Sequence, residues 1–300
     1  MSVKLEHQYP FINQELLGLL NKTLACSWLK RDKTTFNSAS VAVTEFGMYY
    51  SGLFESRTHL LDVTSEHAAI AIAISNKDSH ITQIISVVEG AFLPNPLVIK
   101  VLADHVRRTG TALSYLVYDK QGKALFFLPD VLQTYYHPSI EILEKIKTWT
   151  PQSNCMPLDS TKSVEKQLHA YAIQGMETHF SSDSKTLYGA AVLANGKIFF
   201  AGVHSSFDKR LNLHAEMVAT LSAFAQGCKK ITHVCIVSTK FVTEVPQVCG
   251  CCRQFLAEIA EKNKTPIEIT SYSQNGKEFR INLAEYLPYA FASGDSEAKY

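Results

Sequence analysis

Shifted against itself by 150 positions, the 300-residue sequence keeps falling on similar stretches. Met48-Tyr-Tyr-Ser-Gly52 lies over Ile198-Phe-Phe-Ala-Gly202, Thr64-Ser-Glu66 over His214-Ala-Glu216, Ile81-Thr82 over Ile231-Thr232, and Pro96 over Pro246. Each match is weak alone. One constant shift serves them all, however, and self-similarity at a fixed period constrains a fold more than any single motif. Two copies of one domain are expected, at residues 1–150 and 158–300, in keeping with about 150 residues per domain. Between them Thr150-Pro-Gln-Ser-Asn-Cys-Met-Pro157, polar and with two prolines, reads as a linker.

The second copy shows its elements most clearly. Val164 to Met176 reads as a helix. Gly189 to Leu193 and Lys197 to Ala201 read as strands turned at Asn195-Gly196, a dipeptide that suits a two-residue hairpin. His214 to Ala225 is a second helix stopped by Gly227, and Val234 to Ser238 a buried strand. Cys249 to Glu261 is a third helix, and Ile267 to Tyr272 a last strand. The order α-β-β-α-β-α-β predicts the α/β class, with two tandem α/β/α sandwich domains, each around a mixed sheet.

Charge and cysteine usage narrow the partners. Lys plus Arg total 29 against 28 for Asp plus Glu, so no long-range field draws the chain to nucleic acid or anionic lipid. The first ten residues hold no uninterrupted apolar stretch, and no later run approaches a membrane span, so a cytoplasmic protein is expected. Seven cysteines are an odd and uneven set, with three crowded at Cys249, Cys251 and Cys252. Reduced thiols with one site of metal or redox chemistry fit this better than a disulfide framework.

Cys249 and Cys252 stand at i and i+3 on the first turn of a helix, where they face one way and meet the positive end of the helix dipole. Cys251, at i+2, points elsewhere and reads as a spacer. Taken alone the pair suits a redox couple or half of a structural zinc site. His214, opening the preceding helix, adds a third ligand for Zn2+ and leaves a fourth position for water, with Glu216 in reach of that water.

His214-Ala-Glu216, then a proline and Cys249-Gly-Cys-Cys252-Arg-Gln254, resembles the zinc signature of the cytidine deaminases. The similarity runs from about Val164 to Phe291 and takes in Tyr188-Gly-Ala-Ala-Val, the Asn-Gly turn and the closing Tyr286-Leu-Pro-Tyr-Ala-Phe291. The resemblance implies two cytidine-deaminase-like domains and a zinc-dependent hydrolytic deaminase. Its substrate would be cytidine, deoxycytidine or a related aminopyrimidine nucleoside, and its setting pyrimidine salvage. By the same resemblance Glu216 moves protons from the attacking water to the ring nitrogen and the departing amine. The backbone N–H groups beside Ala215 and Cys249 would hold the substrate's carbonyl oxygen or the developing charge.

Departures from the family pattern carry information too. Val248 stands where a proline usually precedes the first cysteine, and Thr186 and Leu187 where a base-stacking aromatic usually sits. The ribose-binding Asn-x-Glu is replaced by Val203-His204-Ser205-Ser206, which makes His204 and Ser206 candidate substrate contacts. Deamination of a modified base or secondary metabolite, or an inactive zinc-binding module, are the alternatives this opens. In the first copy Glu66 matches Glu216, but Thr64 stands for His214, and Ile99 and Leu102 for Cys249 and Cys252. That copy is expected to be metal-free and silent, and two such chains to form a homodimer imitating a four-domain assembly. Arg107-Arg108 reads as a solvated face, His67 as an ordinary residue, and 293–300 as a frayed tail.

Overall fold

Two sheets built on one plan frame the computed structural model, which describes residues 11–28, 36–58, 61–90, 92, 95–131, 140–181, 185–206, 208–288 and 290, with backbone alone for 140–143. The first copy runs α1 (Gln14–Leu24), β1 (Phe36–Thr44), β2 (Met48–Gly52), α2 (Ser65–Ser75), β3 (Ile81–Gly90), α3 (Pro96–Thr109), β4 (Ser114–Asp119), β5 (Ala124–Leu128) and α4 (Ile140–Lys147). The second runs β6 (Cys155–Pro157), α5 (Val164–Met176), β7 (Tyr188–Ala194), β8 (Lys197–Gly202), α6 (Ala215–Ala225), β9 (Ile231–Ser238), α7 (Gly250–Asn263), β10 (Glu268–Tyr272), β11 (Glu278–Asn282) and α8 (Leu283–Tyr286). A single 3-10 turn, Lys209–Leu211, precedes α6.

Strand orders β2-β1-β3-β4-β5 and β8-β7-β9-β10-β11 are the same, with β6 added beside β8. Among the described strand pairs only β3–β4 and β9–β10 are parallel, so both sheets are mixed, as expected. The β7–β8 turn places Asn195 at φ 50° and Gly196 at φ 75°, both in the left-handed region that a two-residue hairpin requires. Helix α5 lies hard against β7: a Cβ on Gly189 would stand 2.0 Å from the Ala172 carbonyl oxygen. Helices α2 and α6 are buried along almost their whole length, which their sequences, rich in Ala and Ile in α2 and in Ala in α6, permit.

The constant shift does not hold along the whole chain. Helix α6 begins 150 residues after α2, but α7 begins 154 after α3, and β10 and β11 likewise follow β4 and β5 by 154. The segment joining β9 to α7 is longer than its counterpart and absorbs the difference. The residues in place of Cys249 and Cys252 are therefore Asn95 and Val98, not Ile99 and Leu102.

The expected linker is also part of the fold. Cys155–Pro157 pairs antiparallel with β8. Just before it, buried Asn154 donates its N–H to Asn76 Oδ1 and its side-chain amide to the hydroxyls of Ser75, at the end of α2, and Ser222, in α6. One side chain thus ties both central helices together.

The copies exchange side chains across their junction. Trp28, Phe54, Leu61 and Val63 belong to the core of the second copy, where the Phe54 ring lies 4.4 Å from Phe255 and Trp28 stacks on Phe224 at 5.0 Å. Phe180 sits in the core of the first copy in return, with Leu211 packed against it. Matching isolated bridges, Phe54 to Val63 and His204 to Leu213, set the two insertions.

Arg108 does not lie on a solvated face. Its side chain is 1% exposed, with Nε 3.3 Å from Asp104 and the guanidinium 5.5 Å above the Phe180 ring. His67 is buried at the same junction, its ring 5.4 Å from that of His204. No helix among the described residues is long and apolar enough to cross a membrane. Phe291 and the tail 293–300 lie outside the described residues.

Candidate active site

His214 and Cys249 occupy the N-cap positions of α6 and α7, and neither side chain caps its helix. The first copy shows what the same positions do otherwise. Thr64 accepts from the His67 N–H and Asn95 from the Leu97 N–H, as polar caps normally do. In the second copy the two cap side chains turn toward each other instead. Both Cys249 Sγ and Cys252 Sγ lie 3.3 Å from His214 Nδ1, and the three ligand atoms fall within 4.8 Å of one another.

This donor set fits zinc. A tetrahedral ion with Zn–S of about 2.3 Å and Zn–N of about 2.0 Å separates such donors by about 3.6 Å, and sulfur with imidazole is the ligand mixture zinc prefers. As bare side chains the three share protons unequally. Cys249 is drawn down to about 3, chiefly by its hydrogen bond with Cys252 and further by His214, against the pull of burial. His214 is raised to about 9, chiefly by its hydrogen bond to Cys249. Burial pushes Cys252 up.

Glu216, on the first turn of α6, is buried, and burial raises its carboxyl above the usual range while the His214 charge pulls it down. A carboxyl held in this way takes and gives a proton near neutrality more readily than an exposed one. Glu216 lines a cavity of about 430 Å³ together with His214, Cys249 and Ala215. The Ala215 N–H is among the unpaired donors that open a helix, and such donors suit a carbonyl oxygen.

Of the residues expected from sequence, Ser206 and Ala215 line this cavity and His204 does not. His204 is buried at the junction, stacked flat on Phe180 with ring centroids 5.4 Å apart. His179, Tyr188, Lys209, Asn212 and Gln247 line the cavity as well, although no role was expected of them. The repeat carried a signal for Asn212: its Oδ1 accepts the Ser206 N–H at 2.8 Å, as Asp62 accepts the Ser56 N–H, 150 residues earlier, at 2.6 Å. His179 lies outside every motif.

In the first copy Glu66 is fixed in a hydroxyl network. Its Oε1 accepts from Ser86 at 2.9 Å and Tyr115 at 2.8 Å, and its Oε2 from Ser65 at 3.4 Å. Ser38 and Ser40 hold Ser65 in turn.

Residues 162–266 match the family described as the cytidine and deoxycytidylate deaminase zinc-binding region. No curated protein matches the chain. Similar solved structures include the cytidine deaminase from Burkholderia pseudomallei, 25% identical with a TM-score of 0.39, covering 43% of this chain and 100% of that one. The enzyme from Mycobacterium tuberculosis is 23% identical with a TM-score of 0.36, covering 44% and 99%. That from Mycobacterium leprae is 21% identical with a TM-score of 0.35, covering 42% and 99%. Likeness at these TM-scores supports no functional argument, so the family match and the geometry of the site carry the functional reading.

Proposed function

We propose, from the premise that residues 162–266 make this chain a member of the cytidine deaminase family, that it is a hydrolytic deaminase of a small aminopyrimidine. The observation that carries this reading is the convergence of His214, Cys249 and Cys252 beside buried Glu216 in one cavity. His214 Nδ1 and the two sulfurs would hold Zn2+, which as a Lewis acid supplies activation of water at neutral pH.

The remaining steps belong to the chain's own groups. Glu216 takes one proton of the attacking water and delivers it to the ring nitrogen as the hydroxyl adds to the ring carbon; it then takes the proton of that hydroxyl and delivers it to the amino group, so that the carbonyl forms, the C–N bond breaks and ammonia leaves. The Ala215 N–H steadies the ring carbonyl oxygen. The cavity walls exclude bulk water and keep Glu216 in its buried, protonatable state. The first copy, with Glu66 fixed among hydroxyls, acts as scaffold for the second through the exchanged aromatic rings. A homodimer, a cytoplasmic site of action and a place in pyrimidine salvage belong to the same reading.

The test is turnover of cytidine, deoxycytidine and related aminopyrimidines, nucleotides included, before and after metal chelation. Ammonia release that stops on chelation and returns with zinc supports the proposal. No release from any compound, or release indifferent to the chelator, overturns it.

A further inference from the structure

The cavity wall around the site carries buried polar atoms without a partner, a lysine, and one carboxylate among the described residues. His179 is 4% exposed, and its Nδ1 accepts the Tyr188 N–H at 3.4 Å. Burial, with the Lys145 charge nearby, holds the ring neutral by lowering it to about 4. A neutral imidazole that accepts at Nδ1 carries its proton at Nε2. That Nε2 is buried and has no partner. Ser206 is 6% exposed, and its hydroxyl also lacks a partner.

The amide oxygens on the same wall each accept one hydrogen bond already. Asn212 Oδ1 accepts the Ser206 N–H, and Gln247 Oε1 accepts the Tyr286 hydroxyl. Glu216 is the one carboxylate on the wall among the described residues, and the chemistry employs it. Lys209 adds a positive charge, and the carboxylate next to it, Asp208, is engaged by Arg210 at 2.7 Å and Lys100 at 2.6 Å. Of these groups the Ser206 hydroxyl can give or take a hydrogen bond, whereas the His179 Nε2–H and Lys209 can only give one. A group that only accepts pairs with all three, and a negative charge on it meets Lys209.

We propose that the substrate is an aminopyrimidine bearing an anionic oxyacid group, a phosphate ester or a carboxylate, held by His179 Nε2–H, the Ser206 hydroxyl and Lys209. The inference rests on the deaminase reading and specifies its substrate class. It also accounts for Val203-His204-Ser205-Ser206 in place of a carboxylate-bearing segment, since a carboxylate there would repel such a ligand.

Calorimetric titration of the zinc-loaded, full-length Glu216→Gln protein with cytidine, cytidine 5′-monophosphate and cytidine 5′-carboxylate separates the possibilities. One of the two anionic compounds should bind at least about tenfold more tightly than cytidine, the scale of a charge-assisted hydrogen bond. Lys209→Gln and Ser206→Ala should each shrink that margin. Preference for the phosphate identifies a nucleotide, and preference for the carboxylate an acidic aminopyrimidine. Cytidine binding as tightly as both, or a margin unchanged in both variants, overturns the inference and leaves the deaminase reading standing. Failure of all three to bind the zinc-loaded protein overturns both.

Discussion

Thr64 and His214 hold the same position in the two copies and use it in opposite ways: Thr64 stabilises its helix, while His214 gives up capping and faces two sulfurs. A metal site at helix caps therefore sacrifices local stability, typically about 1 kcal/mol for each lost cap. Arg108 shows how far a residue's setting can depart from its sequence neighbourhood. Beside Arg107 in an amphipathic helix it looks solvated, yet Phe180 of the second copy covers it. Replacing it by alanine removes one member of a buried ion pair and leaves Asp104 behind. Arg108→Ala should lower stability by about 3–5 kcal/mol in urea unfolding. A loss within about 0.5 kcal/mol, the range of ordinary surface substitutions, would show that the pair is effectively solvated.

The helices and hairpin around His214, Cys249 and Cys252 were legible because their signals are local. Asn195-Gly196 demands its turn, and α6 and α7 begin where the sequence placed them, to within one residue. Strands β6 and β11 were not legible. Three residues ending in proline carry no period, and β11 is an edge strand of mixed character whose place depends on pairing with β10. The change of shift from 150 to 154 was hidden because Pro96 and Pro246 coincide by number while serving different positions. Pro96 opens α3, whereas Pro246 precedes α7 by several residues. Two substitutions test the packing of these elements. Phe54→Ala should cost about 3–5 kcal/mol, although Phe54 lies in the first copy and the void opens in the core of the second. Gly189→Ala should also destabilise, because no side chain fits between β7 and the Ala172 carbonyl. An unchanged thermal midpoint for Phe54→Ala would rule out the exchange of aromatic side chains as a stabilising feature.

For the chain as a unit, duplication was readable from one shift, but the junction it creates was not. Which side chains one copy lends to the other depends on tertiary contact, so His204 looked like a substrate residue when it is a junction residue. That junction gives stability a pH dependence. Burial lowers His67 to about 4, and burial also lowers His105 to about 4 and holds His204 well below its usual value, with Arg108 and neighbouring histidines adding to the last two. In the unfolded chain these groups titrate near 6.5, so the unfolded state binds protons first as pH falls. Their stabilising contribution is complete above about pH 6.5 and is lost as pH falls toward 4, on the order of 3 kcal/mol for His67. The thermal midpoint should therefore drop steeply below about pH 6.5, and less steeply in His67→Met, which copies Met217 from the second copy. Identical pH profiles for the two proteins would show that His67 has no part in this dependence.

Whether Glu216 moves the protons of a zinc-dependent deamination is decided by ammonia release from Glu216→Gln, with zinc content measured in the same sample. Zinc should be bound at the wild-type level and turnover should fall by about 10²–10⁴-fold. Equal turnover in variant and wild type at equal zinc content would refute that role for Glu216.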